Sequence, residues 1–423
     1  MSTALPDQVR ESLEFEKKNW AEGSVLESAF YSAPLEGADS PPGTLLRLDK
    51  YVETAEYLLP PSTALSRLIY QSLSLRGSLV PVSAFILWPY SPRPGNPVAA
   101  WAHGTSGFDA NSGPSNHKNL WQHFLAPYQL ALQGYVVVGT DYAGLGVKKD
   151  YKGESIVHEY LTPPAQANDV IYSVQAAQQA FPELSKRWVT IGHSQGGGAV
   201  WGVAQRAATM SLPGYLGGVP ISPYTNMLAE RDEVANIFAA MVIPSVSLNF
   251  PDFKPSSVLT PKGEERLRLI HETDAGVSTA VQLLTSGDAN IKPNWKPNEH
   301  FGEFVKMTSN GAKPIKGPLL VLHGDADAVL LESVVDETVQ KTADVNHEIA
   351  IDYYALADVT HVAALSASQW MWMDWIGDRF AGKEAEKGCR RFRLDGTRGS
   401  GAHQNDQNWY LEAATKPWHA PGP

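Results

Sequence analysis

The amino-acid sequence predicts an α/β fold in which a mostly parallel central sheet is flanked by helices and carries an inserted helical cap. The first observation is that short apolar stretches, long enough for buried strands, alternate with longer stretches of helical periodicity. The second is a segment, residues 212–316, that mixes apolar helical stretches with proline-rich connections and holds no clear strand beyond residue 221. Strands that alternate with helices are typical of a parallel sheet covered on both faces, and the strandless segment indicates an insertion.

The first elements of the predicted sheet follow residue 76. The run GSLVPVSAFILWP, residues 77–89, predicts a pair of strands, because β-branched and aromatic residues dominate it. PVAAWA, residues 97–102, predicts a short buried strand. A helical pattern at about 118–132 and an apolar strand at 135–138 follow. The next predicted helix covers 163–180, where two prolines suit the first turn and apolar residues fall on one face.

The remaining elements repeat this alternation on both sides of the predicted cap. A strand at 189–191 runs into a small-residue helix at 196–208. The further predicted strands lie at 218–221, 319–322 and 348–353. Helical patterns lie at about 331–342 and 362–376, and within the cap at 237–246 and 275–284.

These elements predict four parts of the chain. Residues 1–75 are polar and broken by proline pairs, so we expect an irregular N-terminal wrap. Residues 76–211 and 317–380 form the core, and residues 212–316 form the cap or lid. Residues 381–423 are rich in glycine and arginine and are expected to form an irregular C-terminal arm.

Composition limits the partners and the location that can be expected. A formal net charge of −11, without long like-charged blocks, argues against nucleic acid or an anionic membrane surface as a partner. No apolar run is long enough for a membrane span, so we expect no stable membrane insertion. The polar N-terminus and the single cysteine, Cys389, predict a cytoplasmic protein, and the alternative is a secreted form whose leader has been removed. The expected ligand is a neutral or modestly polar small molecule, and the oligomeric state is left open.

One serine stands at a predicted strand-to-helix corner. In GHSQG, Gly192 and Gly196 flank Ser194 at two residues on each side and would let the backbone fold tightly, with the hydroxyl exposed above the sheet. This placement predicts a nucleophile, whereas the alternative is a glycine-rich helix start packed closely on the sheet. The backbone N–H of Gln195 would then point at the space above the serine and bind an oxyanion.

A second oxyanion donor is expected in the loop AAWAHGTSGFD, residues 99–109, which follows an earlier strand. Its glycines let a backbone amide approach a ligand, and the N–H of Thr105 is the predicted donor, with that of Gly104 as the alternative. An ordinary glycine turn would have the same composition.

The general base and its orienting acid are expected after later strands. His361 lies in a loop before a helix and is the predicted base, while His193 and His323 are predicted to be structural. In HGDADAVL both Asp325 and Asp327 could be the acid; Asp327 is preferred, and Asp325 is expected to stabilise the turn. Asp358 is close to His361 in sequence but is too local to orient it.

Several of these motifs together carry a resemblance to a known family: the HG loop at 103–107, GTDYAGLG at 139–146, GHSQGGGA at 192–199, HGDADAV at 323–329 and the late His361. Over roughly residues 28–380 the chain resembles the α/β-hydrolase superfamily and, within it, the secretory lipase family. The resemblance implies hydrolysis of carboxylic esters, a triad of Ser194, Asp327 and His361, and a helical cap over the acyl site.

The sequence therefore predicts a serine ester hydrolase that uses neither metal nor cofactor and acts through an acyl-enzyme. We expect its substrate to be a neutral ester with a small-to-medium acyl group, such as an acylated metabolite. Tyr142, Phe238 and Met241 are the candidate substrate-binding residues. The alternatives are an acyltransferase or a serine peptidase with the same triad, and a non-catalytic binding protein on the same scaffold.

Overall fold

A computed structural model describes residues 5–122, 126–399, 401–404 and 415–419. Ten strands of these residues form one sheet: β1 (Leu45–Asp49), β2 (Ala64–Leu73), β3 (Leu79–Trp88), β4 (Val98–Ala102), β5 (Val136–Thr140), β6 (Trp188–His193), β7 (Tyr215–Ile221), β8 (Leu319–Gly324), β9 (Ile351–Leu356) and β10 (Cys389–Leu394). Their order across the sheet is β1-β2-β3-β5-β4-β6-β7-β8-β9-β10.

Strand direction divides this sheet into two parts. β2 is antiparallel to β1 and to β3, and β3 is antiparallel to β5. Every pair from β5 to β10 is parallel. The predicted fold class, a mostly parallel α/β-hydrolase sheet, is confirmed. The carboxyl ends of β4, β6, β8 and β9 therefore meet at one edge, where open α/β sheets bind their ligands.

Twelve α-helices surround the sheet or extend from it: α1 (Asp7–Lys18), α2 (Pro127–Leu132), α3 (Pro163–Ala180), α4 (Gln195–Thr209), α5 (Asp232–Met241), α6 (Ile243–Asn249), α7 (Pro261–Thr273), α8 (Val277–Thr285), α9 (Glu299–Thr308), α10 (Glu332–Ala343), α11 (Ala363–Ala367) and α12 (Gln369–Phe380), counted over the residues given above. The two sheet faces have separate apolar cores. Phe85 and Leu87 of β3 pack with α2, α11 and α12, whereas Ala84 and Ile86 pack with α3 and α4. This two-residue alternation is what a strand covered on both faces requires.

The N-terminal segment differs from the prediction. The run 77–89 forms a single strand, β3, and its partner is β2, within the segment that was expected to be irregular. β2 was not predicted because several of its residues are polar. In the structure these polar side chains are buried and have specific hydrogen-bond partners. Ser72, for example, has no exposed surface and donates from Oγ to Asp169 Oδ1 at 2.5 Å.

The predicted irregular C-terminal arm also contains a strand. β10 adds in parallel to β9 at the edge of the sheet. The arginines of β10 are held by salt bridges: Arg390 pairs with Asp352 at 2.7 Å and Arg393 with Asp325 at 2.8 Å. Charged side chains are tolerated on an edge strand because one side of it faces solvent.

Two predicted helices are shorter or divided. The pattern at 118–132 yields only α2, because Leu120, Trp121 and Gln122 adopt positive φ angles of 51°, 47° and 49°. Residues 123–125 of that prediction lie outside the described residues. The pattern at 362–376 forms α11 and α12, which are separated at Ser368.

Helices α5 to α9, which correspond to the predicted cap, lie between β7 and β8. They have an apolar core of their own, which also includes Phe108 and Tyr160 from loops of the sheet. Because β7 stands within the sheet, we propose that the insertion begins after Ile221 instead of at residue 212.

Candidate active site

The chain turns sharply at Ser194, between the end of β6 and the first residue of α4. Ser194 has φ 57° and ψ −119°, a conformation that costs energy for a residue with a side chain and is found at functional sites. Backbone hydrogen bonds hold it there: its N–H donates to the carbonyl of Ile221 at 3.0 Å, and its carbonyl accepts from Tyr224 N–H at 3.0 Å.

The two flanking glycines allow this corner because a side chain would not fit at either position. A Cβ on Gly192 would lie 2.5 Å from the carbonyl oxygen of Gly196 and 2.7 Å from that of Ala102. A Cβ on Gly196 would overlap the Ala102 carbonyl and lie 2.7 Å from that of His103. These contacts are with backbone, so α4 and the loop after β4 approach each other only if both residues are glycine.

Ser194 and Thr105 stand out by their exposure. All residues of 188–204 are buried except Ser194, and all residues of 98–117 are buried except Thr105. Each of the two side chains thus reaches accessible space from an otherwise enclosed segment. Both residues follow the carboxyl end of a parallel strand: Ser194 follows β6 and Thr105 follows β4.

His361 and Asp327 form a buried pair. His361 Nδ1–H donates to Asp327 Oδ2 at 2.6 Å. Asp327 Oδ1 accepts from the N–H groups of Val329 and Leu330, at 2.7 and 2.8 Å. Burial alone would raise the pKa of Asp327, but the charge and hydrogen bond of His361 outweigh it and lower that pKa to about 2. A carboxylate held in this way fixes the imidazole tautomer and leaves Nε2 free to accept a proton.

The two aspartates differ in their neighbours. Asp327, and not Asp325, contacts His361. Asp325 instead accepts from the Asp358 N–H at 2.7 Å and pairs with Arg393 of β10. Its carboxylate therefore holds the turn and the edge strand together.

Two other histidines lie beside the pair. His193 donates from Nε2 to the carbonyl oxygen of His361 at 3.0 Å, and Ser222 Oγ donates to the same oxygen at 3.1 Å. His323 Nε2 donates to the Leu330 carbonyl at 3.1 Å. Burial lowers the pKa of His193 to about 3, so its ring is neutral at physiological pH. These contacts tie the loop of His361 to the residue before Ser194.

Within the described part of the chain, Ser194 Oγ makes no hydrogen bond with His361. The hydrogen bond between a nucleophile and its base is often long before substrate binds and then tightens. The shared contacts of His193 place the two residues in neighbouring loops.

The candidate oxyanion donors differ in their partners. The N–H of Gly104 donates to Gln122 Oε1 at 3.1 Å and is therefore occupied. The backbone N–H groups of Thr105 and Gln195 have no partner among the described residues. The Gln195 side chain is held by a 3.1 Å hydrogen bond from Nε2 to Nε2 of His158, which positions the start of α4.

The candidate substrate-binding residues are more enclosed than expected. Tyr142 has no exposed surface, and its hydroxyl donates to the His103 carbonyl at 3.0 Å, so it supports the loop and does not line the site. Phe238 and Met241 are buried in the apolar core of the cap. Phe238 contacts Tyr224, whose N–H bonds to the Ser194 carbonyl, so the cap begins directly over the corner.

Sequence reasoning missed a buried carboxyl at the start of the cap. Glu230 is 4% exposed and accepts from the Leu331 N–H at 2.9 Å, at the end of the turn that bears Asp327. Burial, with the charge of Asp327 added, raises the pKa of Glu230 to about 7. The adjacent Arg231 donates to the carbonyl of Ala328 in that turn. Glu230 stands in the charged sequence LAERDE, which is typical of a solvated surface, and nothing in the sequence marks Glu230 as buried.

Two kinds of feature are not found in the described residues. None of their histidine, cysteine and acidic side chains are grouped in threes as metal ligands would be. No helix in the described ranges is long and apolar enough to cross a bilayer.

Comparison with known proteins gives a family and a fold. The model of the family described as secretory lipase matches residues 122–388, more than half of the chain. No curated protein sequence matches this chain. The structure is similar to Candida antarctica lipase A in its closed state, with a TM-score of 0.70 and 14% identity over 90% of this chain and 93% of that one. It is also similar to the rice cell wall degrading esterase LipA from Xanthomonas oryzae, with a TM-score of 0.62 and 16% identity over 81% of this chain and 100% of that one. At these identities the structural likeness shows the fold.

The predicted cytoplasmic location is wrong. The matching family is one of secretory lipases, which points to an extracellular protein. The prediction depended on a polar start and one cysteine, but a cysteine count limits the number of disulfides and does not determine a compartment.

The matched family, the fold and the geometry of the corner at Ser194 agree with the resemblance to secretory lipases that the sequence motifs indicated. The substrate of such an enzyme is a small-molecule ester. The chain belongs to the secretory lipase family and is a carboxylic ester hydrolase.

Proposed function

We propose that the enzyme hydrolyses its ester through a triad of Ser194, Asp327 and His361. The observation that carries the proposal is the strained, partly exposed corner at Ser194, in a loop next to that of the buried His361–Asp327 hydrogen bond of 2.6 Å. A serine hydroxyl is a poor nucleophile unless a base takes its proton, and an imidazole held by a carboxylate is such a base.

The reaction begins when His361 Nε2 accepts the Ser194 proton and Oγ attacks the ester carbonyl carbon. The carbonyl oxygen becomes an oxyanion, which the backbone amides of Thr105 and Gln195 stabilise. His361 gives the proton to the leaving alcohol, and an acyl-enzyme remains. Water, deprotonated by His361, attacks the acyl carbon and releases the acid and the serine.

We further propose that the substrate is a neutral ester with a small-to-medium acyl group. Support comes from the cap, whose buried apolar side chains, including Phe238 and Met241, pack close to Tyr224 and the corner. A series of p-nitrophenyl esters from acetate to palmitate measures this directly. We expect the highest kcat/KM at short or medium chains; a maximum at palmitate would contradict this substrate class.

Replacing Ser194 with alanine tests the nucleophile. We expect Ser194→Ala to lower kcat roughly 10⁴- to 10⁶-fold, because the hydroxyl that would form the acyl-enzyme is removed. Ser211→Ala, at an exposed serine, is the matched control and retains activity. A fluorophosphonate probe should label the wild type at Ser194 by mass spectrometry. Full activity in Ser194→Ala, or labelling of another residue, would refute the assignment.

Replacing each aspartate in turn tests the acid. Asp327→Asn should lower kcat by about 10⁴-fold, because the amide no longer stabilises the protonated imidazole. Asp325→Asn, two residues away, loses its pairing with Arg393 and should lower the melting temperature more than kcat. Equal losses of kcat in the two variants would exclude Asp327 as the acid.

A further inference from the structure

A pair of hydroxyl groups lies beside the proposed oxyanion site. Thr105 Oγ1 and Tyr160 Oη are 3.0 Å apart, and either could be the donor. Tyr160 is 3% exposed, and its ring lies against Phe108, with ring centroids 5.0 Å apart. Within the described residues, the Tyr160 hydroxyl has no other hydrogen-bond partner.

Burial decides which hydroxyl donates. It raises the pKa of Tyr160, so the phenol keeps its proton. A buried O–H group without an acceptor costs about 1–3 kcal/mol, and Thr105 Oγ1 is the acceptor within reach. The Tyr160 proton therefore points to Thr105 Oγ1. The threonine hydroxyl accepts this bond, and its own proton is free to point elsewhere.

The threonine side chain has access to solvent or to a bound ligand. Thr105 is partly exposed, while every other residue of 98–117 is buried. Its backbone N–H has no partner among the described residues either. One residue thus offers two donors, an amide and a hydroxyl, where the proposed mechanism develops negative charge.

We propose that the Thr105 hydroxyl is a third donor to the oxyanion, and that Tyr160 is a positioning residue that orients it. This inference rests on the proposed function, since it needs the oxyanion to form next to Ser194. A hydrogen bond from a hydroxyl to an anionic oxygen is stronger than one to a neutral carbonyl, so it favours the tetrahedral intermediate over the bound ester. The tyrosine bond polarises the threonine O–H and strengthens its donation further.

Three variants separate the hydroxyl from the backbone amide. Thr105→Val keeps the shape and the amide and removes the hydroxyl, and we expect kcat to fall about 10- to 100-fold with little change in KM. Thr105→Ser restores a hydroxyl and should recover most of that loss. Tyr160→Phe should lower kcat less, because the threonine hydroxyl remains but is free to rotate.

The double variant tests whether the two residues act as one unit. Thr105→Val with Tyr160→Phe should be no slower than Thr105→Val alone, because the tyrosine acts only through the threonine hydroxyl. A merely structural pair would instead lower the melting temperature together with kcat, and Thr105→Ser would not recover kcat selectively. The affinity for a trifluoromethyl ketone, which forms a tetrahedral anion on serine, should fall in parallel with kcat/KM.

The possible failures are distinguishable. Wild-type kcat in Thr105→Val, no recovery in Thr105→Ser, or multiplying losses in the double variant would overturn the hydroxyl's role. In each case Ser194 would still be labelled by a fluorophosphonate. Loss of labelling at Ser194 in the wild type would instead refute the proposed function.

Discussion

At the scale of single residues, Ser194 and its glycines could be predicted because the requirement is local. A strand followed at once by Gly-x-Ser-x-Gly and a helix leaves few conformations, and the structure has the strained corner with backbone on both sides. Asp325 and Asp327 lie two residues apart in one turn, and the sequence does not show which of them meets His361, because that contact depends on how two distant loops pack. The partner of Asp325 is Arg393, in a strand that was not predicted.

Adding one methyl group at Gly196 tests this packing. Gly196→Ala should destabilise the protein by roughly 3 kcal/mol or prevent folding, because the new Cβ would overlap the Ala102 carbonyl. Gly302→Ala is the matched control: a Cβ on Gly302, in α9, would have no atom within 4 Å, and alanine there should stabilise the helix slightly. Urea unfolding compares the two, and equal stability would contradict the steric argument.

At the scale of elements, long helices and strands of continuous apolar residues were predicted well, as α3 and β6 show. β2 and β10 were missed because their polar side chains find partners that are distant in sequence, Asp169 for Ser72 and Asp352 for Arg390. A pattern within one segment cannot reveal such partners. The cap helices were recognised as apolar stretches, but their limits were not: the predicted helix 237–246 is divided at Val242, just before Pro244 in the first turn of α6.

The N-terminal helix stabilises a helix of the cap. Glu16 of α1 accepts from the N–H groups of Gly276 and Thr279, at 2.9 and 3.0 Å, where α8 begins without a side-chain cap of its own. Glu16→Gln exchanges one acceptor oxygen for a donor, and we expect a loss of about 1–2 kcal/mol in the free energy of unfolding. Glu14→Gln, at an exposed position on the same helix, should change it little. Thermal unfolding of both variants is the measurement, and equal melting temperatures would rule out this capping role.

At the scale of the whole molecule, buried carboxyl groups link stability to pH. Burial raises the pKa of Asp141 to about 6, of Asp169 to about 7 and of Glu230 to about 7. Each value lies above that of an exposed carboxyl, so the folded state binds more protons than the unfolded state between about pH 4 and 7. The stability that these groups contribute is present at low pH and is lost as the pH rises through this window. Asp327, with its lowered pKa, has the opposite effect below about pH 4.

Asp169 is the group to change. It is 2% exposed and accepts from the Ser72 hydroxyl and the Ala143 N–H. An asparagine can keep both contacts, because its oxygen accepts from the amide while its NH₂ group donates to Ser72 Oγ. When the pH rises from about 5 to 7, the free energy of unfolding of Asp169→Asn should fall less than that of the wild type. The variant has no proton to release at position 169.

Urea unfolding at the two pH values measures this difference. Asp39→Asn, at an exposed position, is the control and should keep the wild-type dependence of stability on pH. A wild-type dependence in Asp169→Asn would contradict the linkage.

The contacts of Glu230 and Arg231 have a consequence for how substrate reaches the serine. These two residues begin the cap, and they also grip the Leu331 amide and the Ala328 carbonyl on the turn that carries Asp327. A movement of the cap that displaced Glu230 and Arg231 would therefore also displace the turn whose Asp327 carboxylate accepts the hydrogen bond from His361. Under the proposed mechanism, we infer that displacement of the segment beginning at Glu230 would also change the position of the carboxylate beside His361.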